Sequence, residues 1–405
     1  MKSLPLLVIA AVLLSPARVA AQAQFETIYK FAGPPDGSAP QGLAAGPHGT
    51  LYGMTAYGGA AGYGTVFQLT PPSSPGGQWT KTTIYEFNDL YVTGVSPLSA
   101  PVVGKDGSIY GVTGGLSSVI FQLQPPASPG GAWIENVLYP PSEDFPATAF
   151  KHGLIIGANG ELYAAGSAGG FYSCGEVVGL MPPSSPGGQW TVPLQYALPG
   201  GDSGCNPAGI TVSDDGVIYG VTTYGGASGR GIVFALTPSP LPDPYTETVL
   251  YNFTGGTDGG LPSQAPILAP VVIPGASFAI YGLTASGGRY NGGGVFELVP
   301  DVHTGAWTES FPFSSVLGAI PGSELLASNG DFYGTTATGG QFSDAGGTIF
   351  QLTPNFQLLN QTVLHSFPGP AGPSGNLVMD KNGILYGTTV SGGPGGFGTV
   401  YRIKP

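Results

Sequence analysis

One stretch recurs seven times along the chain and leaves few folds open to it. It is clearest near the C-terminus, as Leu385-Tyr-Gly-Thr-Thr-Val-Ser-Gly-Gly followed by Gly398-Thr-Val-Tyr-Arg-Ile. Versions begin at Leu51, Ile109, Leu162, Ile218, Ile280, Phe332 and Leu385. Their tyrosines (Tyr52, Tyr110, Tyr163, Tyr219, Tyr281, Tyr333 and Tyr386) lie 52 to 62 residues apart. A fixed period of this length means a repeat architecture, in which each unit buries its apolar face against its neighbours. The 405 residues therefore form one body rather than two or three unrelated domains.

Each repeat reads as four short strands, a to d. In the first, Gln41-Gly-Leu-Ala-Ala is strand a, residues 51–56 strand b, residues 65–70 strand c and residues 82–87 strand d. A Gly-rich loop separates b from c, and a Pro-rich connector separates c from d. Lys105-Asp-Gly, Ala158-Asn-Gly, Asp214-Asp-Gly, Ser328-Asn-Gly and Lys381-Asn-Gly fall between a and b. Such pairs favour tight hairpins whose two central residues both take positive φ. Four antiparallel strands, seven times, is a seven-bladed β-propeller. Strand a, built from slim residues such as Gly42-Leu-Ala-Ala and Ala100-Pro-Val-Val, lies nearest the crowded axis.

The ends of the chain are out of phase with the repeat. Glu26-Thr-Ile-Tyr-Lys-Phe is a d strand with no repeat before it, and Thr399-Val-Tyr-Arg-Ile is a c strand with no d strand after it. Residues 26–31 should pair with residues 398–403, completing the last blade and removing two open sheet edges.

Tyr-Gly-Thr-Thr, then Gly-Gly, then Gly-Thr-Val-Phe-x-Leu resembles the GloVer-type tandem repeat of exported bacterial proteins. The resemblance runs through nearly all of the chain after its N-terminal stretch. It fades in the second repeat, where Gly114-Gly-Leu-Ser-Ser-Val has lost most of the loop. It implies export and a repeat body, with no activity and no functional residues to carry over. Proteins of this kind often carry a C-terminal surface anchor, and no anchor sequence follows the last repeat here.

Gly (70) and Pro (40) exceed a quarter of the chain. Because they recur at fixed offsets beside β-branched and aromatic residues, they mark ordered turns. The formal net charge of −12 and the lack of any Lys/Arg run disfavour nucleic acid and anionic membranes as partners. Lys2, the apolar residues 4–14 and the small residues around Ala20 to Ala23 read as a signal peptide over residues 1–23. The apolar run is too short to span a bilayer. Residues 24–405 are then a single exported domain, extracellular, periplasmic or on the cell surface, without membrane insertion and monomeric.

Reactive constellations are scarce. His48, His152, His303 and His365 share no ligand spacing, so no metal site is assigned. Gly201-Asp-Ser-Gly-Cys looks like a serine-protease nucleophile segment but has no base or orienting acid beside it, and a Gly-Asp turn accounts for it. Acidic turns such as Pro35-Asp-Gly, Thr257-Asp-Gly and Ser343-Asp-Ala lack the dense oxygen-ligand alternation of a calcium loop. Catalytic residues and cofactors are not assigned. A carboxylate pair for glycoside hydrolysis need not be close in sequence, and nothing in the sequence selects one.

The b–c loops carry a more informative pattern. Tyr57, Tyr63, Phe171, Tyr172, Tyr224, Tyr290, Phe342 and Phe397 stand among glycines there, with Arg230 and Arg289 in the loops of repeats four and five. Strand parity brings all b–c and d–a loops to one face. Flat rings among glycines suit stacking on sugars or on protein side chains; the alternative is that they cover neighbouring loops. The expected function is non-catalytic binding of a polysaccharide or surface protein. Two rivals remain: a propeller polysaccharide lyase or hydrolase using Arg230, Arg289 and a loop tyrosine, and a structural matrix protein. Finally, Cys174 and Cys205 are the only cysteines, and two strand crossings between their loops place both on this face. An exported chain should join them in a disulfide.

Overall fold

The computed structural model describes residues 23–405 except 75, 90–93, 115–117, 129, 141–148, 186–187, 240–244, 274–275, 302, 315–321, 341–345 and 356–357. Seven separate antiparallel sheets form a ring, one per blade, giving a seven-bladed β-propeller. Blade 1 holds strand a (Ser38–Ala45), b (Leu51–Tyr57), c (Thr65–Thr70) and d (Thr80–Glu86) in that spatial order. Blades 3, 4 and 6 repeat it. In blades 2 and 5 strand a comes in two pieces, Val95–Pro97 with Val102–Val103 and Gly260–Pro262 with Ile267–Ile273. Pro101 and Pro266 stand directly before the second pieces, where the missing N–H interrupts the ladder.

Blade 7 takes its strand d from the other end of the chain. Gln24–Lys30 pairs antiparallel with Thr399–Lys404, with Glu26 opposite Arg402 and Thr27 opposite Tyr401. Arg402 and Glu26 add an ion pair of 2.6 Å across this seam. The expected closure is thus observed.

The recurring motif is a packing device. Gly53 lies opposite Phe67 on the neighbouring strand, and a Cβ at Gly53 would come within 2.3 Å of that ring. Gly220 against Phe234, Gly282 against Phe296 and Gly334 against Phe350 are the same contact. Blade 3 tests the logic: there Ala164 replaces the glycine, and its cross-strand partner is the smaller Val178. The threonines pair as well. Thr55 and Thr65 share a buried hydroxyl hydrogen bond of 2.8 Å, as do Thr389 and Thr399 at 2.8 Å and Thr336 and Thr348 at 2.9 Å. The tyrosine faces the next blade. Tyr52 meets Trp133 edge to face, and Tyr110 with Trp190, Tyr219 with Trp307 and Tyr386 with Trp79 do the same. Such pairs add about 0.5–1.5 kcal/mol each beyond burial. His365 occupies a d-strand tyrosine position and stacks on Phe25 at 3.7 Å, so it serves packing.

The a–b turns differ from expectation. Both central residues take positive φ at His48-Gly49 (56° and 78°) and at Asn329-Gly330 (54° and 84°), whereas at Asp106-Gly107 and Asn159-Gly160 only the glycine does. Gly107 N–H donates to Gly104 O and Gly104 N–H to Ser108 O, which leaves a loop of Lys105, Asp106 and Gly107, one residue longer than the expected hairpin. Its geometry is set by Asp106, whose carboxylate accepts from the Ser108 N–H and hydroxyl. An acidic side chain that satisfies the turn's own backbone donors removes the need for a second positive φ.

Candidate functional site

Backbone hydrogen bonds tie b–c loops to d–a loops. Gly59 N–H donates to Pro35 O at 2.9 Å, Gly226 to Gly201 at 2.8 Å and Gly288 to Gly256 at 2.8 Å. Cys174, in the b–c loop of blade 3, is disulfide-bonded to Cys205 at the start of strand a of blade 4, with Cα atoms 4.6 Å apart. The loops therefore share one face, as strand parity requires, and the bridge fastens blade 3 to blade 4 there.

Within that face the aromatic residues divide. Tyr57, Phe171, Tyr172, Tyr224 and Tyr290 are 50–72% exposed. They belong to the loops of blades 1, 3, 4 and 5, and Phe171 packs edge to face on Tyr172 at 4.9 Å. Tyr63 and Phe397 are half-buried and pack on the cores of blade interfaces. The Phe397 ring lies against Gly33, within 2.8 Å of where a Cβ would stand. These two rings hold loops, and the five exposed ones present their faces to solvent. Phe342 lies outside the described residues. Arg230 is exposed over Gly255 and Gly260 of the adjoining d–a loop.

Arg289 and Tyr290 are the two expected residues that the fold brings into one site. The guanidinium lies 5.6 Å from the Tyr290 ring centroid. Both line a cleft of about 920 Å³ together with Asp258, Asn291, Glu309 and Asn360. Asp258 is buried and accepts hydrogen bonds from the Thr254 N–H (2.8 Å), the Thr254 hydroxyl (2.5 Å) and the Tyr251 hydroxyl (3.1 Å). Glu309 comes from strand d of blade 5 (Trp307–Ser314), and its Oε1 is buried without a hydrogen-bond partner. Desolvation, reinforced by the Asp258 charge and opposed by a Tyr251 hydrogen bond, pushes the Glu309 carboxyl up to about 7. The cleft thus combines a flat ring, an exposed cation and a carboxylate pair. Sequence reading misses Asp258 and Glu309 because 51 residues separate them and each looks like a turn or strand residue. The usable signal was the repeat itself: where strand d of blade 1 has Lys81, strand d of blade 5 has Glu309.

Among the described residues no group of three or more His, Cys, Asp or Glu side chains converges as a metal site, and no helix is long and apolar enough to cross a membrane. Gly201-Asp-Ser forms a short 3-10 turn beside the disulfide, as a turn reading of that segment requires.

Residues 269–405 match the family model described as the Gloeobacter/Verrucomicrobia repeat, which bears out the resemblance drawn from Leu385 to Ile403. No curated protein matches the chain. Among solved structures, the chain is similar to the extracellular domain described as that of a hybrid two component system from B. thetaiotaomicron. The identity is 12% and the TM-score 0.53, over 95% of this chain and 41% of that one. A protein from Lactobacillus plantarum is 13% identical with a TM-score of 0.53, over 86% of this chain and 91% of that one. A puromycin-hydrolyzing peptidase of Mycobacterium tuberculosis is 13% identical with a TM-score of 0.53, over 89% of this chain and 50% of that one. The chain thus spans about half or less of the B. thetaiotaomicron and M. tuberculosis structures. At these identities the likeness is one of fold, and propellers host unrelated functions.

Proposed function

We propose that this protein is an exported propeller that binds a polysaccharide non-catalytically through the face carrying its b–c and d–a loops. The observation that carries the reading is the set of five exposed rings on glycine-rich loops that are themselves held by backbone hydrogen bonds. A ring fixed to a rigid rim can stack on a sugar with little ordering cost. Arg289 and the Asp258 and Glu309 carboxylates supply polar contacts beside Tyr290. Residues 1–23 act as the export signal, and the Cys174–Cys205 bond suits an oxidising address. A surface protein is the alternative ligand for the same rings.

The carboxylate pair beside Arg289 favours one rival, a lyase or hydrolase working in that cleft. A glycan array on the protein, with product analysis by ultraviolet absorbance and reducing-end assay, separates the two. Retention without product is expected. Tyr57→Ala, Tyr172→Ala, Tyr224→Ala and Tyr290→Ala together should abolish retention while the melting temperature holds. Unchanged retention in that variant overturns the assignment of the face, and unsaturated or shortened products overturn the non-catalytic reading.

A further inference from the structure

The ring encloses a second, separate cavity of about 420 Å³ on its axis, lined from all seven blades. Gln41 comes from blade 1, Val102 from blade 2, Lys151 and His152 from blade 3, Thr211 from blade 4, Gln264 from blade 5, Glu324 from blade 6 and Asn376 from blade 7. Its titratable lining groups are Lys151, His152 and Glu324. No described residue gives the Glu324 carboxylate a hydrogen bond or ion pair, and burial alone pushes it up to about 7. Lys151 is exposed and lines the cavity, and no described residue forms an ion pair with it. Burial, then the Lys151 charge, pushes His152 down to about 4, so it stays a neutral imidazole near neutrality. Amides from Gln41, Gln264 and Asn376 complete the wall, with Asn376 Oδ1 held by the Leu43 N–H at 3.1 Å.

The placement of the two charges is informative. Blades 3 and 6 are three positions apart in a ring of seven, as near to opposite as such a ring allows. An anion on one wall and a cation on the other stay unpaired because the open channel separates them. A charge partly withdrawn from water without a partner is costly, and a fold that retains one at a cavity wall gains when a ligand neutralises it. A ligand carrying one charge satisfies one wall only; a dipolar one spans both.

We propose that the axial channel is a binding site for a small zwitterion of amino-acid size, its amine on Glu324 and its carboxylate on Lys151, with the channel amides and His152 hydrogen-bonding between. The site is independent of the loop face. It places a small-molecule site at the hub and a surface for a larger ligand on the rim.

The test is isothermal calorimetry on the full-length protein with its disulfide intact, using glycine, β-alanine, 4-aminobutanoate, 6-aminohexanoate and lysine. Butylamine, butanoate and glucose serve as controls. At least one zwitterion should bind and raise the melting temperature, with a chain length set by the channel width, while the controls do not. Glu324→Gln and Lys151→Gln should each weaken that ligand about tenfold, the loss of one charge-assisted contact. Glu324→Gln also removes an unpaired carboxylate, so it should melt no lower than the parent, which separates lost binding from lost folding. Because Glu324 must ionise to hold the amine, affinity should rise from about pH 6 to about pH 8. The four-tyrosine loop variant should bind the zwitterion unchanged. The proposal is overturned if no zwitterion binds, if butylamine or glucose binds as tightly, or if both single variants bind like the parent.

Discussion

Two blade interfaces of this ring share one local design and end in opposite chemistry. Where blade 7 meets blade 1, the Tyr29 hydroxyl and the Ala32 N–H donate to Asp36, at 2.8 and 2.9 Å, and Lys81 from the next blade completes the group with an ion pair of 2.8 Å. Where blade 4 meets blade 5, Tyr251 and Thr254 hold Asp258 in the same way, but the next blade supplies Glu309. At the first interface burial raises the Asp36 carboxyl, yet the hydrogen bonds from Lys81, Ala32 and Tyr29, with the Lys81 charge, outweigh it and hold the group below its ordinary value. At the second, desolvation and the Asp258 charge outweigh the one opposing hydrogen bond from Tyr251, and the Glu309 carboxyl is pushed up to about 7. The two salt bridges among the described residues, Lys81–Asp36 and Arg402–Glu26, both involve the N-terminal segment that seals the ring. The seam is where strands from opposite chain ends must find one another, and specific charge pairs favour that one pairing over other edges. Blades 4 and 5 follow each other in the chain and need no such selection, which leaves their interface free to carry an unsatisfied carboxylate in an open cleft.

Several substitutions test this contrast. Deleting residues 24–31 removes the seam altogether, with the buried Phe31 ring and the whole outer strand of blade 7. The expected loss exceeds about 5 kcal/mol, from truncated core packing alone. Calorimetric melting should show a collapsed or much lower transition, and unchanged melting would refute closure by this strand. Lys81→Glu converts the seam into a copy of the blade 4–5 interface. Setting a second carboxylate against the half-buried Asp36 should cost about 1.5–3 kcal/mol in denaturant unfolding. A loss under a few tenths would mean that Lys81 does not stabilise the seam.

The reciprocal change, Glu309→Lys, should raise stability by about 1–2 kcal/mol, since a cation replaces a repelled carboxyl beside Asp258. The same change should weaken any ligand that needs the carboxylate pair of the cleft.

The smallest expected effect is in pH dependence, where the two sites have opposite signs. Glu309 binds its proton more tightly in the folded than in the unfolded chain, so the stability it contributes is complete below its ordinary value of 4.5 and is lost as pH rises to about 7. Asp36 binds its proton less tightly when folded, so its contribution is present above the ordinary carboxyl range and is lost as pH falls below its depressed value. Subtracting the unfolding profile of Glu309→Gln from that of the parent should isolate the first slope. A difference flat between about pH 4.5 and about pH 7 would contradict the desolvated Glu309.

Much of this protein is written in its sequence, for a physical reason. Most blades share contacts that recur at a fixed offset, such as Gly53 with Phe67, Thr55 with Thr65 and Tyr52 with the next blade's Trp133. A contact repeated at one spacing leaves a period, and a period can be counted. The same count exposed the unmatched strands at the two ends, and with them the closure, and placed Cys174 and Cys205 on one face. Tertiary structure alone decided the rest. It separated exposed rings such as Tyr172 from supporting ones such as Phe397, because exposure depends on which neighbouring loop lies above a ring. It lengthened the a–b turns, because side chains such as Asp106 answer the backbone donors. It also made the two candidate sites, the Asp258–Glu309 cleft and the Glu324–Lys151 channel. Each joins residues far apart in the chain: the packing of adjacent blades brings Asp258 to Glu309, and the closing of the ring brings Glu324 and Lys151 onto one axial channel.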